Sequence, residues 1–134
     1  MARLLLDTNI CIYIAREKPP AVLAQFRRYQ RGDLAMSAIT FGELLYGAAK
    51  STQRERVREV LRELIAWVPA LPVDDGASER YGALRATLEK RGQPIGNNDL
   101  WIAAHALALG VPLVTNNERE FERVPGLKVL NWTR

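Results

Sequence analysis

Arg3-Leu4-Leu5-Leu6-Asp7-Thr8-Asn9 is the stretch whose reading decides the fold. A short apolar run that stops at an acid reads as a buried strand with its carboxyl end at Asp7. Thr8–Ala15 (TNICIYIA) reads as a helix, and Glu17-Lys18-Pro19-Pro20 stops it. Outward from there the same alternation continues. Strands are expected at Leu34–Ser37, Leu71–Val73, Pro112–Thr115 and Lys128–Leu130. Helices are expected at Ala21–Gln30, Phe41–Ala49, Gln53–Trp67, Ala77–Arg91 and Leu100–Leu109, with Gly92 and Gly110 closing the last two. Strands separated by helices, with almost no hairpin signal, need crossover connections. The expectation is one α/β domain over residues 1–134, its central, mostly parallel sheet of about five short strands flanked by helices.

Composition narrows the chemistry. At 134 residues and 15.1 kDa the folded chain should expose roughly 7,100 Å² against roughly 21,900 Å² when extended, enough burial for a core without disulfide or metal staples. Nineteen Lys and Arg against fifteen Asp and Glu leave +4, a mild basicity that draws phosphates without naming nucleic acid. The one cysteine, Cys11, excludes an intramolecular disulfide and cysteine-built zinc or iron–sulfur sites. The one histidine, His105, excludes HExxH and polyhistidine metal sites. No apolar run reaches the ~18 residues of a membrane span, and Asp7 comes too early for a signal peptide. A cytoplasmic protein with no membrane partner is expected.

In such sheets ligands bind at the carboxyl ends of the strands, so acids that follow strands are the first candidates. Asp7 follows the first strand, and Glu43 lies in Thr40-Phe41-Gly42-Glu43. Asp99 closes Gly96-Asn97-Asn98-Asp99, and Glu120 follows the strand Pro112–Thr115. Each has an ordinary explanation. Asp7 and Asp99 could only cap helices, Glu43 could complete a capping box with Thr40, and Glu120 could be a solvated loop charge. Jointly they say more. Two carboxylates ~5 Å apart repel by roughly 3 kcal/mol at an effective dielectric of 20, so a cluster takes up protons or binds a cation. Oxygen ligands alone select a hard ion such as Mg²⁺ or Mn²⁺. Such ions polarise phosphoryl oxygens and generate hydroxide for in-line attack on a phosphodiester.

Four segments in order carry a resemblance: Leu6-Asp7-Thr8-Asn9; Ser37-Ala38-Ile39-Thr40 with Glu43-Leu44 and Tyr46-Gly47; Pro94-Ile95-Gly96-Asn97-Asn98-Asp99; and Val114-Thr115-Asn116-Asn117 with Glu120-Phe121. Together they resemble the PIN-domain ribonucleases, and among these the VapC toxins of bacterial toxin–antitoxin pairs. The likeness runs from the first strand to Leu130-Asn131-Trp132. It implies an endoribonuclease, commonly acting on tRNA and in similar toxins on initiator tRNA. It also implies Mg²⁺, with Mn²⁺ as an alternative, held directly by Asp7 and Asp99 while Glu43 completes the acidic pocket. Asn117 stands where many relatives carry Asp, and Glu120 is the substitute the sequence offers. Thr8 and Thr115 resemble hydroxyls that orient the site, with Asn9 and Asn117 beside them. A VapB-type antitoxin that covers the site, and a homodimer, are implied as well.

Other features have plainer readings. Arg80, Arg85, Lys90 and Arg91 could meet an RNA backbone or be a solvated face. Arg54, Arg56, Arg58 and Arg62 interleave with Glu55, Glu59 and Glu63, which reads as charge-paired surface. Trp67, Trp101 and Trp132 read as core or partner-facing aromatics, His105 as a core-edge residue, and Cys11 as packing. Apolar residues on the helices Phe41–Ala49 and Gln53–Trp67 could serve a dimer seam or an antitoxin groove. Two rival readings remain open. One is a phosphatase with an aspartate nucleophile at Asp7, which would want an acid where Asn9 stands. The other is an RNA- or partner-binding module that has lost catalytic competence, suggested by Asn117.

Overall fold

A computed structural model describes residues 1–134. Five strands form one sheet: β1 (Leu4–Leu6), β2 (Leu34–Ser37), β3 (Ala70–Leu71), β4 (Leu113–Val114) and β5 (Val129–Leu130). Their order is β3-β2-β1-β4-β5, and every neighbouring pair is parallel. The helices are α1 (Thr8–Arg16), α2 (Pro20–Phe26), α3 (Ala38–Lys50), α4 (Arg54–Trp67), α5 (Asp75–Lys90), α6 (Asn97–Leu109) and the single turn α7 (Glu118–Phe121).

The leucine run of β1 is apolar without alternation because the sheet is covered on both faces. Leu4 and Leu6 point into a core shared with α1, α3 and α4, where Ile10, Leu44, Leu61 and Leu64 meet Met36 and Trp132. Leu5 points the other way, among Leu84 and Leu88 of α5, Ile102, Ala103 and Ala106 of α6, and Phe121 of α7. Gly92 and Gly110 end their helices with φ of 68° and 70°, the left-handed conformation glycine reaches without a Cβ clash.

Chain order fixes where a ligand can go. From β1 the sheet grows outward through β2 and β3, then the chain crosses back to place β4 and β5 on the other side. The strand order reverses between β1 and β4, and the crevice outside their carboxyl ends is where open α/β sheets bind ligands.

Several boundaries differ from expectation. The second helix ends at Phe26 rather than Gln30, and the third strand is Ala70–Leu71 rather than Leu71–Val73, confined between Pro69 and Pro72. Helix α3 begins at Ala38, capped by Ser37, whose hydroxyl accepts from Ile39 N at 3.1 Å. Thr40 therefore lies inside the first turn and is fully buried, so Thr40 and Glu43 form no capping box. The α4 charges are exposed and unpaired, since the chain's ion pairs are Arg3–Asp33, Arg85–Glu89 and Arg134–Glu118. Spacing explains it: Arg54, Arg58 and Arg62 recur every fourth residue, as do Glu55, Glu59 and Glu63, so helical i,i+4 neighbours carry like charge.

Cys11 and His105 are buried as read. Burial, helped by the Asp7 charge, raises the Cys11 thiol well above its ordinary pKa, which leaves it protonated and inert. His105 Nδ1 lies 2.9 Å from Ser37 Oγ, tying α6 to the β2–α3 junction, and burial lowers its pKa. Trp132 stacks on Tyr29 and Trp101 on Tyr81, while Trp67 remains half exposed beside Arg31. No helix is long and apolar enough to cross a membrane.

Leu5→Ala is expected to cost about 2–5 kcal/mol, because Leu5 is fully buried between sheet and helices. Arg54→Ala, on the exposed side of α4, should stay within about 0.5 kcal/mol. Urea midpoints for the two variants check this, and a loss below about 1 kcal/mol at Leu5 would mean that the core is misplaced.

Candidate active site

Asp7 leaves β1 as the N-cap of α1, its Oδ1 accepting from Ile10 N at 3.0 Å. Its other oxygen accepts from the hydroxyl of Thr115, the residue that follows β4. Thr115 Oγ1 in turn accepts from Asn117 N at 2.9 Å. The cap explanation and the site explanation for Asp7 are therefore both true. Only 5% of Asp7 is exposed, and that burial, with a smaller contribution from the charge of Glu43, lifts its pKa to about 6 against the lowering effect of its hydrogen bonds.

Glu43 comes from the second turn of α3, on the β2 side of Asp7. The Thr8 hydroxyl donates to Glu43 Oε1 at 2.6 Å and lies 3.3 Å from the hydroxyl of buried Thr40. Thr40 is a contact the sequence reading missed, taken there for a cap. The signal for the true helix start was Ser37, a good N-cap at the end of an apolar strand.

Asp99 sits in the first turn of α6, which starts at Asn97 and has Gly96 as N-cap. Burial raises its pKa to about 7, with the charges of Glu120, Asp7 and Glu43 adding in that order. Four acids distant in sequence thus share one electrostatic neighbourhood. Glu120 belongs to α7, a helix too short for periodicity to reveal. Its Oε1 accepts from Gly96 N at 2.8 Å and its Oε2 from the Asn117 amide at 3.1 Å. The second contact gives Asn117 a role: an amide there donates to Glu120, where an aspartate would repel it.

Asn9 is placed differently from the other residues singled out. Its backbone N–H supports the Asp7 carboxylate, but its exposed side chain reaches Asn116 Oδ1 at 3.4 Å. Asn116 then donates to the Tyr13 hydroxyl at 2.9 Å. Of the basic residues on α5, Arg85 is committed to Glu89 and Tyr81, both at 3.0 Å. Tyr81 passes that order to the start of α6 by donating to Asn97 Oδ1 at 2.6 Å.

The donor set fits a hard divalent cation. It offers only carboxylates and hydroxyls, and two of its acids are held in an environment that penalises their negative charge. No three His, Cys, Asp or Glu side chains converge tightly enough to form a ready-made metal cage.

Asp7 and Asp99 titrate above the 3.8 of an ordinary aspartate, at about 6 and about 7. Between those limits the folded state holds more protons than the unfolded chain, so stability without a cation falls as pH rises through that window. For Asp7 the shift is worth about 3 kcal/mol. With chelator present, the urea midpoint should be higher near about pH 5 than near about pH 7.5, and Asp7→Asn should shrink the difference to what Asp99 contributes. A midpoint that climbs over the same interval contradicts the arrangement.

Comparison with known proteins agrees with this geometry. The family model described as "PIN domain" matches residues 4–127. The chain is 41% identical over 133 residues to the "tRNA(fMet)-specific endonuclease VapC" of Shigella flexneri, covering 99% of this chain and 100% of that protein. It is also 41% identical over 132 residues to "Ribonuclease VapC2" of Haemophilus influenzae, covering 98% and 99%. Among solved structures, DNA-bound VapBC from Salmonella typhimurium matches with a TM-score of 0.93 at 39% identity, over 98% of this chain and 99% of that one. VapBC2 from Rickettsia felis, bound to a DNA fragment from its promoter, matches at 0.90 and 37%, over 96% and 98%. With a five-stranded parallel sheet in this order and identity sustained from end to end, the chain belongs to the VapC ribonucleases of the PIN-domain family.

Proposed function

We propose that the protein is a Mg²⁺-dependent endoribonuclease that cuts tRNA, the toxin of a VapBC-type toxin–antitoxin pair. The observation that supports it best is the shared electrostatic neighbourhood of Asp7, Glu43, Asp99 and Glu120 at the carboxyl edge of the sheet, where the strand order reverses. The name of the Shigella relative makes initiator tRNA the substrate to try first.

Asp7 and Asp99 would hold the ion, with Glu43 and Glu120 completing the negative pocket. When bound, Mg²⁺ or Mn²⁺ supplies Lewis-acid polarisation of the phosphodiester and a nucleophilic water at neutral pH. The chain's own groups keep the carboxylates in place. Thr115 and the Ile10 N–H fix the two oxygens of Asp7, Thr8 fixes Glu43, and the Gly96 N–H with Asn117 fixes Glu120. Acids so restrained need little rearrangement when charge develops at phosphorus, which is the value of a preorganised site. Glu43 and Glu120 would orient the attacking water.

A groove of about 1160 Å³ runs between α1, α3 and α4 and reaches the acids at Thr8 and Glu43. Ile12, Ile39, Tyr46 and Val57 line it, with Arg16, Lys50 and Arg56 at its borders. Tyr46 is 65% exposed, an unusual position for a large aromatic ring. The similar solved structures are VapBC complexes, and we assign this groove to a VapB-type antitoxin segment that ends over the acids.

Asp7→Asn and Asp99→Asn are each expected to slow tRNA cleavage by roughly a hundredfold or more, with the fold kept. Chelator should do the same to the parent protein, and added Mg²⁺ should reverse it. Unchanged cleavage in either variant refutes the assignment. Tyr46→Ala should weaken retention of the co-expressed antitoxin without slowing cleavage by the free protein; undiminished retention would move the antitoxin elsewhere.

A further inference from the structure

A second pocket of about 450 Å³, rich in charged side chains, is built from the end of α5, the loop before α6, and α7 with the turn after it. Arg91, Gln93, Arg119, Glu122, Arg123 and Pro125 line it. None of its three guanidinium groups is ion-paired, because the chain's ion pairs all involve other residues. Glu122 lines the same pocket, yet it neutralises none of them within salt-bridge distance.

Like charges held together without a carboxylate partner raise the energy of the free protein, and an anion relieves it. The arrangement is also partly built. Arg123 Nη1 donates to the Pro94 carbonyl at 3.0 Å, which anchors one wall to the loop before α6. Arg119 and Arg123 stand four residues apart on α7 and the turn after it, so both project to one side. Arg91 comes across from the end of α5.

The pocket shares its wall with the acids. Arg119 precedes Glu120, and consecutive helical residues point about 100° apart, so α7 presents Glu120 to the acids and Arg119 away from them. Pro94, held by Arg123, is two residues from Gly96, whose N–H holds Glu120. A strand cut at the acids would bring its neighbouring backbone phosphates within reach of this wall. Planar guanidiniums suit phosphate because they donate two parallel hydrogen bonds.

We infer that Arg91, Arg119 and Arg123 form a phosphate-binding pocket for the RNA backbone that flanks the cleaved bond. The inference rests on the nuclease reading of the acids and adds the contact that holds the substrate strand in register. It is an affinity site, because none of its members reaches the four acids.

The test is binding of a fluorescein-labelled initiator tRNA transcript to the free protein in chelator, across a salt series. Arg91→Gln and Arg119→Gln should each weaken binding about three- to tenfold and make the slope of log K against log salt shallower by about 0.7–0.9. Glu122→Gln, which removes the pocket's only carboxylate and disturbs no hydrogen bond of its side chain, should tighten it severalfold. With Mg²⁺ restored, KM should rise in the arginine variants while kcat holds. Parent-like affinity and slope in the Arg91→Gln, Arg119→Gln double variant overturn the inference, as does a loss confined to a DNA duplex probe. Because binding is read without cleavage, a protein that cuts no RNA would count against the nuclease proposal and leave this pocket still measurable.

Discussion

The hydroxyl of Thr115 donating to the carboxylate of Asp7 joins the two strands between which the sheet changes direction. A carboxylate buried at the end of an apolar strand is unfavourable unless its lone pairs are occupied. Here the start of α1 supplies the N–H groups of Asn9 and Ile10, and β4 supplies the hydroxyl. Those bonds lower the cost of the charge without cancelling it. What remains is an acid whose pKa burial raises to about 6, so that its charge is favoured by a nearby cation. Folding and the proposed chemistry are thereby linked at one residue: the cap that starts α1 is also the group proposed to hold the metal.

The same economy governs the fourth acid. Glu120 is not exchangeable with an aspartate at position 117, because the Asn117 amide and the Gly96 N–H are arranged as donors to one glutamate. The turn α7 makes this work by burying Phe121 in the core while Glu120 faces the site. Asn117 thus has a structural role beside Glu120, as the donor that holds one of its oxygens. Glu120 accepts at both carboxylate oxygens, and the Asn117 amide is one of the two donors.

Much of this was legible in the amino-acid order. Leu4–Leu6 followed by Asp7 announced a doubly covered strand with an acid at its carboxyl end, and the alternation of strands and helices implied parallel pairing. The errors have local causes. Thr40-x-x-Glu43 imitates a cap signal, so α3 was expected three residues late and the burial of Thr40 went unseen. Helix α7 spans four residues, below the length at which apolar period can be detected. Alternating Arg and Glu in α4 suggested ion pairs, but none forms: the i,i+4 neighbours carry like charge, and the opposite-charge i,i+3 neighbours stay apart. Arg119 and Arg123 could not be joined to Arg91 from sequence, since only the folded 94–96 loop brings the end of α5 beside α7.

Strand β3 is two residues long and bounded by Pro69 and Pro72. It is also the outermost strand on its side of the sheet. Proline has no amide hydrogen to offer, so an incoming chain would find almost no donors along that margin. Edge-to-edge zippering into fibrils, the usual hazard of an open sheet, is blocked at this boundary by two imino acids. Contacts with other macromolecules are left to the side chains of the surrounding helices and loops.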